Sequence, residues 1–324
     1  MVGIRGLACI SFLVWNLTTA AELSSPVKQS SFHLPPGSEV PHWSNGYITS
    51  RSTDLLAWTT IDRTGATSVC SLAGAFPEAS NIQIVNPVAV SGRGELALPV
   101  TADAPPSRSG QIHVGMIVFV NPPCHVSRVV RMDANVAATH LAFDPDGSLW
   151  ALVRAVRVAE GIVQEAPVYD MIRHYDASGK LIGTALPRSN LKYPYPVNNA
   201  LLQVSSDHIG FFIDGPGRWV EMSKTDQIVR NWAVGSRTFS HTPDAVQTIV
   251  LTQEDEVFVK QTDNLIKGHT DDKLLHLDKE TGALDQVDTS AVGGGQVFVP
   301  LGYDNGHLVL QGRSESLYWV DFTP

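Results

Sequence analysis

The stretch FDPDGSLWALVR, residues 143–154, reads as a strand, a tight turn and a second strand. Asp146 and Gly147 occupy the turn, where glycine accepts a left-handed backbone and aspartate bonds the chain two residues on. Leu149, Trp150, Ala151, Leu152 and Val153 then enter the second strand. Whether this hairpin stands alone or recurs decides the architecture.

It recurs. Comparable strand–turn–strand units turn at Asn45–Gly46, Arg93–Gly94, Asp146–Gly147, around Asp207, at Glu254–Asp255 and at Asn305–Gly306. The spacing is about 50 residues, a length that marks a repeat architecture. Each turn is followed by a second marker, an alternating apolar strand ending in a polar turn: WTTIDRTG from Trp58, IVFVNPPC from Ile117 and IRHYDASG from Ile172. The later copies are WVEMSKTD from Trp219, LLHLDKETG from Leu274 and LYWVDF from Leu317. Two hairpins per unit give four strands. Six such units predict an all-β, six-bladed β-propeller with four-stranded antiparallel blades, spanning residues 21–324 as one domain. The last unit stops at its third strand, so the N-terminal SSPVKQSSFHL (24–34) is expected to supply the fourth and close the ring. Trp58, Trp150, Trp219 and Trp319 fall on strands and are expected to pack between blades.

Residues 1–20 read as a secretory signal: Arg5 is the positive region, LACISFLVWNL the apolar one, and cleavage is expected near Ala20. The protein is therefore expected to be secreted or periplasmic. The full chain carries 32 acidic against 23 basic residues, a net charge of −9. With no basic cluster, it is a poor partner for nucleic acid or anionic membrane. No later segment has the length of a membrane span. Outside the signal, Cys70 and Cys124 follow the same kind of turn in neighbouring units. An oxidising compartment permits a disulfide between them, and two buried thiols are the other reading.

The tight turns of both hairpins emerge on one face of a propeller. The opposite face collects the longer connections, expected at 101–112, 155–170 and 260–272. Long connections on a rigid scaffold are where binding resides. Residues just before each inner strand, at the mouth of the central channel, are the pocket candidates: Asn86, Thr139, His140, Asn198, Asn199, His241, Asp244 and Gln247. No G-x-S-x-G, H-E-x-x-H, C-x-x-C or phosphate-binding glycine loop occurs. The expectation is a non-catalytic, monomeric binding module for a small molecule, glycan or protein at the long-loop face, with no cofactor.

HLAFDPDGSLWAL followed by MIRHYDASGKLIG resembles the hairpin pairs of bacterial NHL-like six-bladed propellers, whose members are often binding or scaffold modules. A narrower resemblance is to the gluconolactonase/regucalcin group, metal-dependent lactonases that carry E-G-P-x-W near the start. In EVPHW the chain keeps Glu39, Pro41 and Trp43 at that spacing, with Val40 in place of the glycine. The resemblance implies a calcium ion held by Glu39, Asn199 and Asp244, polarising an ester carbonyl while Asp244 acts as base. Thr139 stands where that group has an asparagine, and Asp244 lies further from its turn than the pattern has it.

Overall fold

A computed structural model describes residues 22–38, 41–53, 56–85, 87–104, 110–190, 202–213, 217–235, 245–263, 271–293, 298–312 and 316–323. Two short strands, β1 (Glu22–Leu23) and β2 (Lys28–Ser31), precede the repeats. Blade 1 is β3 (His42–Ser44), β4 (Tyr47–Arg51), β5 (Ala57–Ile61) and β6 (Thr67–Ser71). Blade 2 has an inner strand split into β7 (Ile82–Val85) and β8 (Ala89–Val90), then β9 (Leu96–Asp103), β10 (His113–Asn121) and β11 (His125–Arg131). Blade 3 comprises β12 (Val136–Phe143), β13 (Leu149–Ala159), the extra β14 (Ile162–Glu165), β15 (Asp170–Tyr175) and β16 (Leu181–Pro187).

Blade 4 is β17 (Leu202–Val204), β18 (His208–Ile213), β19 (Arg218–Ser223) and β20 (Ile228–Ala233). Blade 5 is β21 (Ala245–Leu251), β22 (Val257–Asp263), β23 (Asp271–Leu277) and β24 (Leu284–Gln286). A single helical turn, α1 (Ser290–Gly293), leads to β25 (Val299–Asp304), β26 (His307–Gln311), β27 (Ser316–Val320) and β28 (Phe322–Thr323). The sixth blade is ordered β2-β27-β26-β25, with Lys28 opposite Trp319, so the N-terminal segment does close the ring. β1 pairs β28 just outside that closure. The chain is a six-bladed β-propeller.

The packing follows from the alternation of side chains along each strand. Both faces of a blade are covered by its neighbours, so both alternating sets are apolar. In β10, Met116, Val118 and Val120 join the core shared with blade 1, while Ile117 and Phe119 join the core shared with blade 3. Every boundary between blades has its own apolar cluster, and each of the four tryptophans named above lies in one, at most 4% exposed. Glycine is needed where an aromatic ring crosses a strand. A β-carbon at Gly302 would fall 2.0 Å from Trp43 Cδ1, because the Trp43 indole lies against β25.

All six first-hairpin turns occur where the repeat places them, and Asn45–Gly46 and Asn305–Gly306 have both residues at positive φ. Cys70, on β6 of blade 1, is bonded to Cys124 in the β10–β11 turn of blade 2, with 5.2 Å between α-carbons. The long connections are shorter than expected: β9 takes in 101–103, and β22 and β23 take in 260–263 and 271–272. Residues 155–170 are not an open connection: β13 continues to Ala159, and a turn at Glu160–Gly161 folds β14 back on it.

Candidate functional site

The inner strands of the six blades surround a channel that holds a cavity of about 950 Å³. Each inner strand runs toward a tight turn, so its last residues form the tight-turn mouth. Trp43, Leu141, Leu202, Ile249 and Leu301 contribute apolar wall, one from each of five blades. Toward the opposite end, described polar lining comes from His42, His140, Thr248, Lys260 and Gln311. Lys260 lies on a second strand, directly opposite Thr248 of the inner one. At the tight-turn mouth the charged lining is Arg93, Glu95, Asp144 and Asp146.

Of the residues expected from the sequence, His140 lines the cavity, at a register shift between Ala138 and His140 of β12. Thr139 instead donates its hydroxyl within the blade, to the Leu152 carbonyl at 3.2 Å. Glu39, Asn86, Asn198, Asn199, His241 and Asp244 lie outside the described residues, and so does the Gln247 side chain. The implied calcium set therefore falls wholly outside them. Among the described residues no group of three His, Cys, Asp or Glu side chains is arranged to hold a metal.

The mouth is electrostatically organised by contacts between blades. Asp144, at the end of β12, accepts Trp150 Nε1 at 3.0 Å and pairs Lys224 of blade 4 at 2.8 Å. Asp304 at the end of β25 repeats this, accepting Trp319 Nε1 at 3.1 Å and pairing Arg63 of blade 1. The cation comes each time from the second hairpin turn of the next blade. Asp146 caps its own turn: the Ser148 hydroxyl and backbone N–H hold its carboxyl below the usual carboxylate range.

Around blade 5 the three acids of QEDE are all engaged. Tyr303 donates its hydroxyl to Glu254 at 2.5 Å, and burial followed by that carboxylate raises the phenol pKa. Burial works to raise the Glu256 carboxyl, but hydrogen bonds from His276 at 2.6 Å and Lys279 at 2.7 Å outweigh it and hold it low. Asp255 sits between Ser205, whose hydroxyl donates to it, and His208 Nδ1 at 2.8 Å. In this order the serine hydroxyl donates its hydrogen bond to the carboxylate and not to the imidazole. That joins blades 4 and 5 and does not activate a nucleophile.

Gln203 was not foreseen. Its amide donates to the Ile249 carbonyl and accepts from Leu251 N–H, fastening β17 to β21 at the channel wall. The available signal was a lone polar residue between Leu202 and Val204 on an otherwise apolar inner strand.

No family model matches the chain, and no curated protein matches it. Among solved structures it is similar to virginiamycin B lyase from Staphylococcus aureus, at 10% identity and TM-score 0.44, covering 91% of this chain and 99% of that one. It is also similar to a luciferin-regenerating enzyme, at 13% identity and TM-score 0.45, covering 88% and 91% respectively. A member of the duf4221 family from Bacteroides vulgatus gives 10% identity and TM-score 0.46, covering 94% and 98%. Likenesses of this strength transfer no residue role and no activity to this chain.

Proposed function

We propose that this protein is an exported, non-catalytic propeller that binds a small organic molecule in its central channel. The observation that carries the reading is the cavity of about 950 Å³, walled by apolar side chains from five blades with polar groups at its ends. That is the volume and composition of a site that encloses most of a drug-sized ligand and orients it by a few polar contacts. Three of the four charged residues lining the tight-turn mouth are committed to structural contacts, which favours a binding role over a reactive one. Glu95 pairs Arg128 within blade 2 at 3.0 Å, Asp144 pairs Lys224 of blade 4 at 2.8 Å, and Asp146 caps its own turn. Export is supported by the Cys70–Cys124 disulfide, a bond that persists in oxidising compartments. Among the described residues no helix is long and apolar enough to cross a membrane.

The test uses the channel's own reporter. Trp43 is the tryptophan among the described cavity lining, so the protein's tryptophan emission is expected to shift when a mono- or oligosaccharide, an aromatic acid or a cyclic lactone from a titrated panel enters. A Thr248→Trp variant, which adds an indole to the channel wall from β21, should weaken binding read by calorimetry at least about tenfold while keeping the melting temperature within a few degrees. Binding that survives Thr248→Trp at full strength would place the ligand elsewhere and contradict the reading.

A further inference from the structure

Most arginines near the blade 2–3 surface are matched by acids: Arg131 by Glu78, Arg173 by Asp133 and Arg188 by Glu165. Arg154, partly buried on β13, is different. Among the described residues it forms no ion pair, while its Nε, like those of the paired Arg128 and Arg173, is buried without a hydrogen-bond partner. The titratable groups that feel its charge are His113 and Tyr169. The nearby carboxylate of Glu165 is already occupied, by the Tyr169 hydroxyl at 2.6 Å and Arg188 Nε at 3.0 Å. A guanidinium nitrogen withdrawn from water without an acceptor costs free energy, and the two terminal nitrogens, which are not so buried, are open to a ligand. The planar fork of the guanidinium fits a carboxylate or phosphate bidentately.

The surroundings indicate what carries that oxyanion. Alternation along β13 places Arg154, Val156 and Val158 on one face of the strand. Val158 stands opposite Val163 across the β13–β14 hairpin, and the two are 41% and 54% exposed. Glu165 stands opposite Val156 on the same face, its carboxylate held by Tyr169 and Arg188, and beyond it the face ends in the two exposed valines. Arg154 is not among the residues lining the channel. We propose that Arg154, Val158 and Val163 form a second binding position, outside the channel, for an amphiphilic oxyanion. Its carboxylate or phosphate sits on the Arg154 fork and its hydrocarbon part covers the two valines.

Calorimetric titration of the full chain with octanoate, octyl phosphate and inorganic phosphate, at ionic strength matched with chloride, tests this. Octanoate or octyl phosphate should bind at least about tenfold more weakly to Arg154→Met, a loss of about 1.4 kcal/mol. Inorganic phosphate should bind more weakly than octyl phosphate to the parent protein, because it lacks the apolar part. The stronger of the two octyl probes identifies a carboxylate or a phosphate as the preferred head. Arg154→Met should melt no lower than the parent protein, since it removes an unmatched charge and keeps the aliphatic stem. Equal binding to both proteins, no binding to the parent, or a collapse of Arg154→Met would each overturn the proposal. Channel binding is read separately through Thr248→Trp, so the failure of one site is distinguishable from that of the other.

Discussion

Gly302 and Trp43 show how single residues are tied to the ring. The indole that contributes to the channel wall occupies the space of any β-carbon on Gly302. Gly302→Ala is expected to destabilise the protein by about 1–3 kcal/mol through overpacking. Adding Trp43→Ala should recover part of that loss by removing the clash. Denaturant unfolding of the two single variants and the double checks the coupling, and simple additivity would contradict the contact.

Titration is a second residue-scale consequence. Burial lowers the His174 pKa from its ordinary 6.5 against the pull of Asp144 and Asp146, while Glu256 is held below 4.5 by His276 and Lys279 against burial. Both folded values are depressed. The stability they confer is thus present above the unfolded values and lost as the pH falls, first below about 6.5 and then below about 4.5. The melting temperature should be flat from pH 7 to 8 and decline through both ranges. Glu256→Gln should cost about 1–2 kcal/mol at pH 7 and flatten the lower limb. An acid limb unchanged in Glu256→Gln would show that other carboxylates govern it.

Among elements, the disulfide adds a covalent cross-link to the backbone connection between blades 1 and 2, closing a loop with a sequence separation of 54. Replacing both cysteines by serine is expected to cost about 4 kcal/mol on chain-entropy grounds, read as a lower denaturant midpoint under non-reducing conditions. A midpoint equal to that of the parent protein would show that the tie adds nothing to the packed boundary.

The elements were legible in the sequence where local chemistry repeats. Asn45–Gly46, Asp146–Gly147 and Asn305–Gly306 announce their turns by residue type, and the unfinished sixth unit points to the N-terminal closing strand. The β13–β14 hairpin was not recognised, although Glu160–Gly161 takes two positive φ values, because Glu is an uncommon residue for that position. The split of the inner strand of blade 2 rests on the pairing of β7 with residues 15 to 20 positions away, and the contacts of Gln203 on partners 46 and 48 away, and no local pattern encodes them. Of the site candidates only His140 lies on the described wall of the channel; Lys260 reaches it from a second strand, where the strand alternation alone does not mark a channel position.

At the scale of the whole molecule, six apolar boundaries and a two-terminus closure make a ring whose interior is held open by design of its packing. Each inner strand has its neighbours' side chains on both faces, so the strands cannot collapse inward, and the channel remains as a preformed cavity. A preformed cavity binds without the cost of ordering its walls. The measurement that bears most directly on this is the tryptophan emission titration of the parent protein, with calorimetry of Thr248→Trp beside it. A saturable shift is expected for at least one organic ligand in the parent protein, with binding at least about tenfold weaker in Thr248→Trp. A panel that leaves the parent's emission unmoved, or binding undiminished in Thr248→Trp, would contradict a preformed binding channel.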